Sequence, residues 1–282
     1  MTQIEASGLS TGYYGKQILH DINFSIDKPG IYVVLGKNGA GKTTFFRTVT
    51  GILKLYSGTL AIDGLDPYSH PEAREKCVYL SHQAGVPESL SVSEIMDLFA
   101  LLLGADEYGK QNAVKLLELD SLMEKPYYSL SQGQKKRVSL AKCLLSDRSI
   151  YLFDEPTTNL DPVVATQVRK EILGISENRI VLYSSHNLYE AREIGNQVLI
   201  ISNGSIAYNG DIDKVQIGKY VIGIRADNVA DVFPEAKLQG RYYILELDSP
   251  DDVSKVIQKL SVAKVRVQEI REMSNPLEDL LR

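Results

Sequence analysis

The stretch Gly36-Lys37-Asn38-Gly39-Ala40-Gly41-Lys42-Thr43-Thr44 follows an apolar run, Ile31-Tyr32-Val33-Val34-Leu35, and precedes Phe45, Phe46, Val49, Ile52 and Leu53 at helical spacing. It reads as a strand, a glycine loop and a helix, which places an α/β core here. The chemistry open to such a loop is narrow. Water solvates a triphosphate well, so a protein that binds one must replace that shell with aimed donors. Glycines let backbone N–H groups converge on phosphate, the helix N-terminus adds its partial positive charge, and Lys42 can reach the β- and γ-phosphates. The Thr43 hydroxyl is the expected Mg²⁺ ligand. A glycine turn ahead of a capped helix is the plainer alternative, and the strand before and helix after the loop favour the nucleotide site.

With 282 residues and 44% hydrophobic content, the chain can bury one substantial core and a smaller second one. Its net charge of -5 gives no general attraction for nucleic acid or anionic lipid, and no nucleic-acid partner is expected. Cys77 and Cys143 have neither paired nor metal-ligand spacing, which fits a reducing cytosol. The first residues lack the basic and apolar segments of a secretion signal. No apolar run approaches the roughly 20 residues that cross a bilayer, so work on a membrane would require a second, spanning chain.

Ile4, Ala6 and Leu9, then Ile18, Ile22, Phe24 and Ile26, alternate with polar positions and predict antiparallel strands. Between them, Tyr13-Tyr14-Gly15 either covers a sheet edge or offers a ring on which adenine stacks. Residues 58–64 predict a strand closed by a turn at Asp63-Gly64, and residues 76–81 a strand that runs into His82 and Gln83. From Ser91 to Lys125 the apolar residues Ile95, Leu98, Phe99, Leu102, Val114, Leu117 and Leu122 follow the helical period. They predict a helical insertion, about residues 85–145, opened by a Ser91/Glu94 capping box.

Leu130-Ser131-Gln132-Gly133-Gln134 leads into a helix carrying Val138, Leu140, Ala141, Leu144 and Leu145. A serine there is ordinarily a cap, and a helix start with a free hydroxyl is also a second anion site. Lys135, Lys136 and Arg137 read as a solvated face. Residues 149–153 form an apolar strand ending in Asp154-Glu155-Pro156, where ligands bind in open α/β sheets. Asp154 can hold Mg²⁺ directly or through water, and Glu155, pointing elsewhere, can orient or deprotonate an attacking water. A strand over residues 179–185 delivers His186 to another strand end, where it is either structural or part of the site. Residues 198–208 predict a hairpin through Asn203-Gly204.

In this order the motifs resemble those of an ABC-type ATP-binding subunit over about residues 1–210: the phosphate loop, Gln83, an LSxGQ-type signature at 130–134, Asp154-Glu155, Asn159-Leu160-Asp161 and His186. The resemblance implies a P-loop NTPase core with an antiparallel β subdomain and the helical insertion. Two such domains sandwich two ATP molecules, each held by one partner's phosphate loop and the other's signature. It implies that Tyr14 stacks on adenine and that Gly36, Lys37, Asn38, Gly39, Ala40, Gly41, Lys42, Thr43 and Thr44 cradle the phosphates and Mg²⁺. Gln83 would contact Mg²⁺ and the water and relay nucleotide state to a transmembrane partner. Ser131, Gly133 and Gln134 would face the opposite protomer's γ-phosphate. Asp154 would support the metal, Glu155 would act as general base, Asp161 would lie at the dimer seam, and His186 would hold the γ-phosphate. Gln132 departs from the family's commonest signature, which has glycine there. Ser131 and Gly133 are retained, so phosphate contact is still expected and only its fine geometry is affected.

Residues 211–282 lie outside that match. Strands are predicted at residues 219–224, 241–247 and 263–267, and Ser249-Pro250-Asp251-Asp252 caps a helix through Val256, Ile257 and Leu260. The pattern suggests a small α/β accessory domain of ferredoxin-like type. The ending Asn275-Pro276-Leu277-Glu278-Asp279-Leu280-Leu281 is similar to the tails of ATP-binding subunits of exporter-type ABC systems. The expected function is therefore an ATPase that powers a membrane transporter, with export as the expected direction. Its partners would be ATP, Mg²⁺, a transmembrane permease subunit and a second ATP-binding subunit, in a homodimer or heterodimer. Its expected place is the cytoplasm, peripheral on the inner face of the cell membrane. The alternative is a soluble ABC ATPase of translation or DNA repair. The first usually carries two cassettes in one chain and the second long coiled coils within the cassette, neither of which this sequence has.

Overall fold

The alternating residues at the start of the chain fold as two long antiparallel strands, β1 (Ile4–Tyr13) and β2 (Lys16–Ile26), with Ile4, Leu9, Leu19 and Ile22 fully buried. The structure, a computed structural model, describes residues 2–81, 85–145, 147–215, 220–248 and 252–273. The chain divides into a first unit, Met1–Lys214, and a second, Val215–Arg282.

In the first unit, β3 (Gly30–Leu35) runs through the glycine loop into α1 (Lys42–Val49), and β4 (Leu55–Ile62) returns to pair with β1. The result is a three-stranded antiparallel sheet in the order β2-β1-β4. At its end Asp63 and Gly64 take φ of 51° and 80°, and Ile62 and Leu65 exchange both backbone hydrogen bonds, as an Asp-Gly turn requires. Then follow α2 (Pro71–Arg74), β5 (Cys77–Leu80), α3 (Val92–Leu103), α4 (Glu107–Leu116) and α5 (Gln132–Leu144). The chain continues through β6 (Ile150–Asp154), α6 (Pro162–Ser176), β7 (Ile180–Ser185), α7 (Leu188–Ile194), β8 (Gln197–Ser202) and β9 (Ser205–Asp211).

The core sheet has six strands in the order β5-β6-β7-β3-β8-β9, parallel except for the β8-β9 hairpin. Every residue of β6 and β7 is buried, as expected of central parallel strands covered on both faces. The register sets Asp154 of β6 and Val34 of β3 on either side of Ser184 of β7. This placement builds the site described below. In the helical insertion Ser91 accepts the Glu94 N–H and Glu94 accepts the Ser91 N–H, the predicted capping box. The buried stripe of α3 is Val92, Ile95, Met96 and Ala100, while Leu102 faces solvent with Leu101.

The second unit comprises β10 (Tyr220–Ala226), α8 (Val229–Val232), β11 (Lys237–Gln239), β12 (Tyr242–Leu247), α9 (Asp252–Val262) and β13 (Val267–Glu272). Its antiparallel order β11-β12-β10-β13 on a βαββαβ succession is the ferredoxin-like arrangement. Ile222, Ile224 and Leu245 of the sheet and Val256 and Leu260 of α9 are buried. The strand expected at 263–267 starts only at Val267. The intervening residues leave the helix: Lys264 takes φ 56° and the Val265 N–H closes on Leu260 O at 2.9 Å. The cap expected at 249–251 and the tail 275–281 lie outside the described residues.

Candidate active site

Strands β3, β6 and β7 are parallel neighbours in the order β6-β7-β3, so their carboxyl ends share one edge. That edge carries the glycine loop, Asp154-Glu155 and His186. Gly39 and Gly41 take φ of 81° and 111°, which favour glycine, and a Cβ on Gly36 would stand 2.6 Å from Ile201 O. Gly41 is the N-cap of α1 and supplies no side-chain cap, which leaves the N–H groups of the first turn for an anion. Lys42 is buried, and its Nζ donates to Gly36 O at 2.8 Å and Lys37 O at 3.3 Å. It also stands 3.5 Å from Glu155 Oε1. Thr43 Oγ1 donates to Asp154 Oδ2 at 2.8 Å.

Both Asp154 oxygens are engaged. Oδ2 also accepts the Tyr79 hydroxyl at 3.3 Å, and Oδ1 accepts Ser184 Oγ at 2.7 Å. Ser184 Oγ in turn accepts the Glu155 N–H at 2.9 Å. Glu155 sits at φ 48°, a left-handed conformation uncommon for a residue with a side chain. That kink sends its carboxylate to Lys42 and to His186 Nδ1, 3.5 Å from each. Burial, reinforced by the Asp154 charge, pushes the Tyr79 phenol well above its ordinary range, so it remains a donor. Lys136 Nζ lies 3.4 Å from Asp154 O, and burial lowers its ammonium below the usual range against the pull of Asp154 and Glu155.

The basic run is therefore not a solvated face. Lys136 turns inward, Lys135 lies 5.2 Å over the Tyr127 ring, and Arg137 donates to the carbonyls of Leu117 and Glu118. These carbonyls and the Tyr127 ring lie along the helical insertion, information that sequence spacing does not carry.

A cavity of about 470 Å³ brings together Asn38, Lys42, Thr43, Thr44, Asp154 and Glu155. Tyr13 and Ile18 also line it, Tyr13 holding Arg47 Nη1 on its hydroxyl at 3.1 Å. Tyr14 does not line it: at φ 51° on the β1-β2 turn, its ring is fully exposed. Ser131, Gly133, Gln134 and Asp161 stand apart from this cavity. Ser131 is the N-cap of α5, in a reciprocal capping box with Gln134, and its hydroxyl accepts there and keeps its own proton to donate. A Cβ on Gly133 would come 2.9 Å from Asn159 O, so glycine lets this first turn touch the loop after Glu155. Asp161 caps α6 by accepting the Val164 N–H at 3.0 Å, ahead of Pro162. His186 is half exposed beside Glu155, and Gln83 lies outside the described residues. A larger cleft of about 630 Å³, walled by Ala113, Leu116, Leu144, Tyr151 and Ile175, carries none of these groups.

Sequence reasoning missed Tyr79, Ser184, Lys136 and Glu190. Glu190 on α7 accepts Tyr183 OH at 2.7 Å, Ser185 Oγ at 2.6 Å and the Thr157 hydroxyl. It ties the loop beyond Glu155 to β7. The available signal was Tyr183, Ser184 and Ser185 inside an otherwise apolar strand, since buried hydroxyls need partners.

The profile of the ABC transporter family matches residues 19–158. The ABC transporter ATP-binding protein NatA of Bacillus subtilis (strain 168) is 28% identical over 204 residues, 70% of this chain and 83% of that protein. The thiamine import ATP-binding protein ThiQ of Escherichia coli (strain K12) is 30% identical over 207 residues, 70% of this chain and 88% of that one. A solved structure described as the ATP binding subunit of an ABC transporter superposes with a TM-score of 0.69 at 25% identity, covering 75% of this chain and 91% of that one. Together with the loop and carboxylate geometry, these similarities establish that the chain belongs to the ABC transporter family, as an ATP-binding subunit with ATPase activity.

Proposed function

We propose that this chain binds Mg²⁺·ATP on its glycine loop, hydrolyses it with Glu155 as general base, and uses the cycle to drive a substrate through a separate transmembrane subunit. One observation carries the reading: Lys42 and Thr43, from the end of β3, meet Glu155 and Asp154, from the end of β6, at 3.5 and 2.8 Å. A hydroxyl and a carboxylate form a hard-oxygen pair that fits Mg²⁺, which takes one or two protein ligands and leaves the rest to phosphate and water. When bound, the ion would neutralise charge developing on the phosphates. Lys42 and N–H groups of the glycine loop and the first turn of α1 hold the phosphates, Asp154 orients toward the metal, and Glu155 accepts the proton of the attacking water. His186 and Gln83 complete the γ-phosphate side, and the exposed Tyr14 ring stacks on adenine.

The second half of each site comes from another ATP-binding subunit. Ser131 has a proton to donate, Gly133 and Gln134 frame the same helix start, and Asp161 stands at the seam. The proposed division is an ATP-binding domain over about residues 1–210, with its helical subdomain near 85–145, and an accessory domain over 211–282. The end of β9 at Asp211 and the start of the second unit at Val215 support it. No helix among the described residues is long and apolar enough to cross a membrane, which is why a permease partner at the inner membrane face enters the proposal. Export is the proposed direction, supported by the tail 275–281, and relatives named for thiamine import stand against it. Co-purification with a multi-span membrane protein, followed by ATP-driven movement across vesicles holding both chains, tests partner and direction. An ATPase that neither binds nor is stimulated by such a protein would refute the transport reading.

A further inference from the structure

We infer that Ser184 is a positioning residue that locks both acidic groups of the hydrolytic site through a single hydroxyl. The inference rests on the roles proposed above for Asp154 and Glu155. Ser184 is fully buried on β7, opposite Asp154 in the register. Its Oγ donates at 2.7 Å to Asp154 Oδ1 and accepts at 2.9 Å from the Glu155 N–H.

A hydroxyl has one proton and two lone pairs, so this geometry uses its donor on the side chain of one residue and an acceptor on the backbone of the next. The two bonds do different things. Donation to Oδ1 fixes the carboxylate rotation that turns Oδ2 to Thr43. Acceptance from the N–H holds Glu155 at φ 48°, the kink that aims its carboxylate at Lys42 and His186 rather than back along β6. Without the hydroxyl, the part-buried Glu155 N–H loses its acceptor and Asp154 loses the donor on one oxygen. Adjacent residues on a strand point to opposite faces, so aiming both carboxylates at one site requires such a backbone fixture.

Ser184→Ala in the full chain tests this, with Ser184→Thr as the variant that restores the hydroxyl. Ala is expected to lower kcat about 10- to 100-fold without weakening metal-free ATP binding, because the phosphate loop is untouched and a Glu155 turned away from Lys42 no longer competes with phosphate for it. The gain in ATP affinity on adding Mg²⁺, read by titration calorimetry, should shrink in Ala, and Thr should recover both quantities. Turnover of Ala within about threefold of the parent would overturn the inference, as would an equal loss of metal-free ATP binding, which marks general damage. Should Thr be poorly folded by its melting curve, Ser184→Cys replaces it: partial recovery supports the assignment and a rate equal to that of Ala overturns it. Failure of the underlying site would show separately, as undiminished turnover in Asp154→Asn.

Discussion

Glu155→Gln separates the two roles of one carboxylate. Glu155 Oε1 stands 3.5 Å from Lys42 Nζ, with the lysine 5% and the glutamate 20% exposed. It thus occupies the cation that the phosphates must recruit. At that distance the pair is worth about 5 kcal/mol at an effective dielectric of ~20 and about 1 kcal/mol at ~80. Partial exposure of Glu155 argues for the lower end, about 1 to 2 kcal/mol, or roughly five- to thirtyfold tighter binding once the charge is removed. Hydrolysis moves the other way, since loss of a general base lowers the rate by about 10² to 10⁴. The assay is calorimetric titration of a non-hydrolysable Mg²⁺·ATP analogue into parent and variant at low and high salt, beside steady-state phosphate release. The gain should diminish at high salt, where screening weakens the Glu155–Lys42 pair. Equal or weaker analogue binding by the variant would refute the parked-carboxylate argument, and near-normal turnover would refute the general-base assignment.

Lys42→Ala is expected to fail at binding itself, by about 1.5 to 3 kcal/mol for a charge-assisted contact, and unchanged ATP affinity would refute the phosphate-loop role. Mixing Ser131→Arg chains with Lys42→Ala chains should recover up to about half the activity per mixed dimer, because one site keeps both intact halves. Turnover independent of protein concentration in an isolated monomer would refute the shared site. Glu190→Ala leaves the hydroxyls of Tyr183, Ser185 and Thr157 without their common acceptor. A loss of about 2 to 4 kcal/mol in denaturant unfolding is expected, and an unchanged midpoint would show that the network carries no stability.

The parts of the site that could be read in the sequence are those whose chemistry is local. A glycine loop between strand and helix, and two carboxylates at a strand end, keep their meaning whatever surrounds them. Ser184 and Tyr79 depend on strand order: a serine in β7 is unremarkable until β7 lies between β3 and β6. Lys136 looked like one of three surface cations because spacing cannot tell that α5 directs it onto the Asp154 carbonyl. Periodicity likewise overstated the buried face of α3, where Leu102 is exposed. In the second unit, α9 and β12 were legible from their apolar pattern, whereas β11 is three residues long and wholly exposed, too short for any pattern to form.

The left-handed backbone at Glu155 has a consequence for anyone redesigning this protein. Asparagine tolerates that conformation better than glutamate does, and glycine better still, so the local geometry rewards residues that cannot take a proton from water at this reach. Asn at position 155 would relieve up to about 1 kcal/mol of strain but forfeit about 1 to 2 kcal/mol from the Glu155–Lys42 pair, so melting temperature would not reward the change, and the proposed base would be lost with it. Backbone strain and the charge pair thus pull this residue in opposite directions. Screens on this scaffold should score the two separately.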